Sequence, residues 1–208
     1  LQYWLAGSED NVVNMVRFLV DRYADGARRG LRGTLKSKLP VEYPELGVYH
    51  PDVRGSGTIN GMSETPASLP RAGSQGTVGV LLLRSYLLAK NTGHYDGVIR
   101  SLEARGLRVI PAFTSGLDAR PVVDKFFKKD GKSIVDAVVS LTGFSLVGGP
   151  AYNDAHAAED MLADLDVPCI SAQPLEFQTL EQWGESGRGL TPVESTIMVG
   201  IPELDGTT

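Results

Sequence analysis

Two side chains in this sequence have types and settings suited to moving a proton or meeting a cation. His94 stands in "NTGHYDG" and Glu203 in "IPELDG". A neutral imidazole or a carboxylate can accept a proton from a reacting group. His94 falls in the first turn of an expected helix, capped by Asn91 or Thr92, where the positive dipole end disfavours a charged ring. It reads as a neutral base or ligand at a rim, or as a side chain that helps cap its helix. Glu203 reads as a carboxylate aimed at a cleft, or as an exposed acid in a turn. Arg84 can clamp a carboxylate with two parallel hydrogen bonds, or pair with a helix start, and Ser85 follows it. The other histidines suggest less: His50 in "GVYHPDV" reads as a surface turn, and His156 as solvated.

A second feature is backbone rather than side chain. "SLTGFSLVGGP", residues 140–150, places Thr142, Gly143, Phe144, Gly148 and Gly149 after an apolar run. So little side chain invites close approach by a flat ligand or by a neighbouring element. The glycines do not follow G-x-G-x-x-G, and no G-x-x-x-x-G-K-[ST] occurs, so no nucleotide site is expected. C-x-x-C, H-E-x-x-H and G-x-S-x-G are also absent, which leaves zinc and serine-hydrolase chemistry without a motif.

These residues need elements to position them. Strands are expected at 77–83, 107–113, 133–141, 167–171 and 194–202, from continuous and partly β-branched apolar runs. Helices are expected at 92–106, 118–131 and 153–165, with a short one opened by the capping pair Thr179 and Gln182. This alternation predicts an α/β fold, a doubly wound parallel sheet of flavodoxin-like or Rossmann-like type, over residues 77–208. Ligands of such sheets bind outside the carboxyl ends of the strands. That rule collects Arg84, Ser85, His94, the 142–149 stretch and Glu203 at one rim. Residues 1–76 read as a helical and irregular lead-in. A helix over 8–25 carries Val12, Val16, Leu19, Val20 and Tyr23 on one face. A connector with five positive charges follows (Arg28, Arg29, Arg32, Lys36, Lys38), either solvated or a docking surface for an acidic partner. Residues 40–76 read as a long loop or linker.

Composition bounds the classes. A net charge of −5 argues against bulk attraction to nucleic acid or an anionic membrane. A hydrophobic share of 42% in 208 residues is that of a chain with a core. The single cysteine, Cys169, reads as a buried strand residue from a reducing compartment. No apolar run approaches membrane-spanning length, and the start lacks a basic leader pattern.

"HYDGVIRSLEARGLRVIPAFTSGLD", "VDAVVSLTGFSLVGGPAYND", "LDVPCISAQPLEFQTLEQW" and "IPELDG", with the lead-in "YWLAGSEDNVVNMVRFLVDRYADG" and "YPELGVYHPD", resemble the large H subunit of magnesium chelatases. The cobalt chelatase large subunit shares the general plan. The stretch "GSGTINGMSETPASLPRAGSQ" departs from the family and looks like a variable loop. The resemblance implies an internal segment of a porphyrin-binding subunit several times longer. It implies Mg²⁺ and protoporphyrin IX as substrates of (bacterio)chlorophyll synthesis, and ATP bound by two ATPase-type partner subunits. A cytoplasmic or plastid-stromal setting follows. His94 and Glu203 then become candidates for catalysis, with metal ligands left open. Arg84, Ser85, Thr142, Gly143, Phe144, Gly148 and Gly149 become candidates for contact with the macrocycle. The competing reading is a scaffold or docking domain of a cobalt or magnesium chelatase that shapes a cavity without chemistry.

Overall fold

The computed structural model describes residues 1–70, 73–149 and 152–204. In chain order the strands are β1 (Leu46–Tyr49), β2 (Thr58–Ile59), β3 (Met62–Ser63), β4 (Thr77–Leu83), β5 (Arg108–Thr114), β6 (Lys128–Lys129), β7 (Lys132–Ser133), β8 (Ala137–Ser140), β9 (Gly148–Gly149), β10 (Tyr152–Asn153) and β11 (Cys169–Ser171). The helices are α1 (Gln2–Ala6), α2 (Glu9–Tyr23), α3 (Arg84–Leu88), α4 (Gly93–Glu103), α5 (Arg120–Val122), α6 (Ala155–Leu165), α7 (Leu180–Glu185), α8 (Pro192–Ser195) and α9 (Ile201–Leu204). Among the described residues no helix is long and apolar enough to cross a membrane.

One seven-stranded sheet runs β11-β8-β4-β5-β1-β3-β2. Its first four strands are parallel, with Val80 opposite both Pro111 of β5 and Val139 of β8. Taken in chain order, β4, β5, β8 and β11 lie in the spatial order 2-1-3-4, the flavodoxin-like arrangement. The chain reverses direction of growth between β4 and β8. Two cores cover the two faces, as expected of a doubly wound sheet. Val78, Val80, Leu82, Val109 and Phe113 meet Leu87 of α3 and Tyr95 and Ile99 of α4. Leu81, Ile110, Ala112 and Val138 meet Val122, Phe126 and Phe127 after β5 and Met161 and Leu165 of α6. The alternation along each strand assigns each residue to its face.

Four expectations are corrected. Residues 40–76 are not a plain loop: β1 adds antiparallel to β5, with Leu46 opposite Thr114, and the β2–β3 hairpin extends the sheet further. Strands of two to four residues are too short to show a period. The expected helix 118–131 is one short turn, α5, running into a π-helical turn at Val123–Phe127. Asp130 and Gly131, at φ 51° and 74°, then close a tight hairpin between β6 and β7. That hairpin takes Ser133 and leaves β8 only four residues.

The third correction is the largest. Residues 194–202 form no fifth strand: α8, a π-helical turn at Thr196–Gly200, and α9 follow one another. The cause is a capping box. Thr191 Oγ1 accepts from Glu194 N at 3.3 Å and Glu194 Oε2 accepts from Thr191 N at 2.9 Å, with Pro192 at the first helical position. The fourth concerns side chains. His50 is 1% exposed, not a surface residue: its Nε2 meets Glu103 Oε1 at 2.9 Å and its Nδ1 accepts from Asp52 N. Cys169, expected inside, is exposed on the edge strand β11.

Candidate functional site at the carboxyl edge

The carboxyl ends of β4 and β8 are the switch point of the sheet, and the glycine turn leaves from there. Thr142 Oγ1 lies 3.0 Å from Ser140 Oγ and donates to Phe144 O at 3.3 Å, which folds the turn back on its own strand. Gly143 takes φ 74°, a conformation that favours glycine. The turn is sewn to the loop after β5: Ala119 N donates to Leu146 O at 2.8 Å and Gly148 N to Leu117 O at 3.0 Å. Two small cavities flank Phe144. One, ≈ 20 Å³, lies among Leu83, Thr114, Gly116 and Thr142. The other, ≈ 70 Å³, lies among Tyr86, Gly143, Gln173, Glu176 and Met198. The second is roofed by the C-terminal helices that replace the expected strand.

The sequence candidates separate into groups. Thr142, Gly143 and Phe144 line these cavities. His94 joins them through Tyr86, whose ring meets the imidazole edge-on at 5.0 Å. Burial pushes the His94 pKa down, and Asp96 pulls weakly the other way, so the ring is neutral near pH 7. Among the described residues, two buried side-chain polar atoms lack a hydrogen-bond partner, His94 Nε2 and Gln173 Nε2. Both belong to this edge. Tyr95, next to His94, ties α4 to the end of β4 by accepting from Leu83 N at 3.1 Å, and burial raises its phenol to about 12.

The remaining candidates lie elsewhere. The Arg84 guanidinium faces the lead-in, where Nε donates to Pro44 O at 2.7 Å and a terminal nitrogen to Tyr43 O at 2.9 Å. It lines a separate open recess of ≈ 580 Å³ with Leu5, Leu39 and Tyr43. Ser85 is exposed on the first turn of α3. Glu203 is exposed on α9. Gly148 and Gly149 form β9, which pairs with β10. The space a Cβ on Gly148 would need is already taken by the carbonyl of Tyr152, and Gln173 Oε1 would stand 2.6 Å from one on Gly143. Close approach by the chain itself therefore accounts for these two glycines.

Tyr86 and Glu176 are partners that sequence reasoning missed. The Tyr86 hydroxyl donates to Glu176 Oε1 across the cavity mouth. They are 90 residues apart, and no local pattern links them. A further cavity of ≈ 210 Å³ opens between α6 and β11, lined by Ser140, Ser145, Glu159, Cys169 and Ser171. Among the described residues no three His, Cys, Asp or Glu side chains are grouped to hold a metal ion.

Known proteins match this chain along its full length. It is 56% identical to the magnesium-chelatase H subunit of Rhodobacter capsulatus and 54% identical to that of Cereibacter sphaeroides, each over 100% of this chain. The chain spans only 17% of the length of either relative. A solved structure, the catalytic subunit of cobaltochelatase from Mycobacterium tuberculosis, matches 99% of this chain with a TM-score of 0.60 at 24% identity, over 15% of its own length, and shares the fold. The family model described as CobN/Magnesium Chelatase covers residues 1–208, and the chain belongs to that family.

Proposed function

We propose that this chain is an internal segment of a magnesium chelatase large subunit, where its carboxyl edge forms one wall of the porphyrin cavity. The reaction it serves is insertion of Mg²⁺ into protoporphyrin IX for (bacterio)chlorophyll synthesis. ATP is bound by two separate ATPase-type subunits. The setting is the cytoplasm, or the stroma in a plastid. The observation that carries this reading is the end-to-end match, above half identical, to the H subunits of two magnesium chelatases.

The small clefts at this edge favour a wall over an enclosing slot. Sites that bury a ligand of drug size measure roughly 300–1,000 Å³. The clefts beside Phe144, at ≈ 20 and ≈ 70 Å³, are far below that. A macrocycle held at this edge would rest against it, with the rest of its enclosure supplied by other parts of the subunit. Phe144, half-buried, offers a ring face for stacking. Metal insertion displaces two pyrrole N–H protons. His94, with a buried and unpartnered Nε2, reaches such a proton only if Tyr86, packed edge-on against it, moves aside. Mg²⁺ dehydrates reluctantly and prefers oxygen ligands, so its escort needs carboxylates. Glu203 on α9 is a candidate at this end of the chain. Arg84 braces the lead-in through two carbonyls and is not assigned to the macrocycle.

The test is a porphyrin titration of the full-length subunit, read by quenching of tryptophan fluorescence. Phe144→Ala and His94→Ala weaken porphyrin binding or insertion while the fold is retained. Unchanged binding and unchanged insertion in both variants overturn the wall assignment.

A further inference from the structure

Helix α2 is mounted with its polar stripe inward. Asn11 and Asn14 are buried and hold the segment at 38–41 through their side chains. Asn11 Nδ2 donates to Val41 O at 2.8 Å while Asn11 Oδ1 accepts from Val41 N at 2.8 Å. Asn14 Oδ1 accepts from Lys38 N at 2.9 Å, and Asn14 Nδ2 donates to Asp10 O. Lys90 meets Asp10 at 3.3 Å and Glu9 at 3.7 Å, which pins the start of the helix to the turn after α3. Directional hydrogen bonds thus set the rotation of α2 about its own axis.

That rotation sends the apolar face outward. Val12, Val16, Leu19 and Tyr23 fall within a sector of about 60° on a helix of 3.6 residues per turn. They are 40%, 50%, 45% and 67% exposed. Spacing of i, i+4, i+7 and i+11 is the seam through which one helix packs on another. A contiguous stripe of this kind on a water-facing helix marks an interaction surface. Directly beyond Tyr23, the 3₁₀ turn Gly26–Leu31 carries Arg28 and Arg29, both exposed.

More than four-fifths of the length of the matched relatives lies outside the stretch that this chain aligns with. We propose that the Val12–Tyr23 seam is covered by an amphipathic helix from elsewhere in the same polypeptide, apolar along the seam and acidic where it meets Arg28 and Arg29. This rests on the reading of the chain as a segment of a large chelatase subunit. The covering helix buries the apolar face that α2 turns away from the segment at 38–41. It thereby makes α2 an internal domain contact and not a docking site for a separate protein.

The test is cysteine accessibility in the full-length subunit, kept dilute enough to be monomeric and read peptide by peptide after maleimide labelling. Val16→Cys and Leu19→Cys are compared with Arg17→Cys, which lies off the seam on the same helix. Both seam positions react more slowly than the reference by roughly tenfold or more, as a contact that opens only locally requires. Arg28→Glu with Arg29→Glu speeds labelling of the seam several-fold by repelling the acidic rim. Equal rates at all three positions overturn the proposal. So does protection that appears only when the subunit is concentrated, which identifies a second copy, or only when another protein is added. Porphyrin titration of the same variants is read separately: loss of the porphyrin reading with the seam still protected leaves the seam contact standing.

Discussion

The Phe127 ring lies against Gly79, so close that a Cβ on Gly79 would stand 2.7 Å from the ring edge. Gly79 is in the middle of β4, where a glycine is otherwise unfavourable. Phe127 is fully buried, and its neighbours Val123 and Phe126 are buried too, so the ring has no room to retreat. Gly79→Ala therefore overpacks the core and destabilises the chain by about 1–3 kcal/mol. Urea denaturation measures it. Combining it with Phe127→Leu recovers part of the loss, because the two changes share one space. Additive losses in the double variant contradict the contact.

Glu194 makes a second structural prediction. It is fully buried, yet its carboxylate accepts from Thr191 N and Oγ1, Phe177 N and Gln178 Nε2. Burial pushes its pKa up, and these hydrogen bonds outweigh that and hold it below the usual value of 4.5. A depressed folded pKa adds stability that is present above 4.5 and is lost as pH falls through the folded value. Glu194→Ala removes the acceptor of four hydrogen bonds and lowers stability near neutral pH. The loss also flattens the acid limb of the stability profile. Thermal melting across acidic pH that shows the same slope with and without Glu194 refutes this account.

Glu194 also shows why part of the fold escaped the sequence. "ESTIMVGIP" is rich in β-branched residues and reads as a strand, but Thr191-Pro192-x-Glu194 just ahead of it is a helix start. The cap outranked propensity. Strands β4 and β5 and helices α4 and α6 were legible because each is long and apolar on the face it buries. Helix α2 was legible as a helix, but periodicity does not say which face turns inward. Asn11 and Asn14 settled that through partners more than twenty residues away. At the site, the glycine turn pointed to Thr142 and Phe144. Tyr86 and Glu176, like His50 and Glu103, meet only when distant elements fold together, so no local spacing signals them.

The carboxyl edge offers a way to separate fold from function. Gly148→Val drives a side chain into the Tyr152 carbonyl and disrupts the pairing of β9 with β10. Its effect on porphyrin binding is accompanied by lost stability. Phe144→Ala, at a half-buried turn residue beside two small cavities, leaves the sheet intact and lowers porphyrin affinity, by about 0.5–1.5 kcal/mol if stacking is lost. Measuring melting temperature and porphyrin affinity on both variants distinguishes them. A Phe144→Ala variant that melts early and binds normally places Phe144 in the core and removes it from the wall.

His94 carries the last prediction, and the sign follows from burial. The folded ring holds its proton less tightly than the unfolded value of 6.5, so as pH falls the unfolded chain protonates first. Stability from this residue is present above 6.5 and is lost as pH falls through the lowered folded value. Replacing the imidazole by a side chain that does not titrate, His94→Asn, should shrink the drop in urea midpoint between about pH 7.5 and 5.5. On the proposed reading, the same ring takes a pyrrole proton in the full-length subunit. The rate of metal insertion in His94→Asn then falls and loses its dependence on pH over that interval. If the variant retains the wild-type pH profile of both stability and insertion, the ring neither titrates as its burial requires nor accepts the proton, and His94 is only a packing residue between Tyr86 and Tyr95.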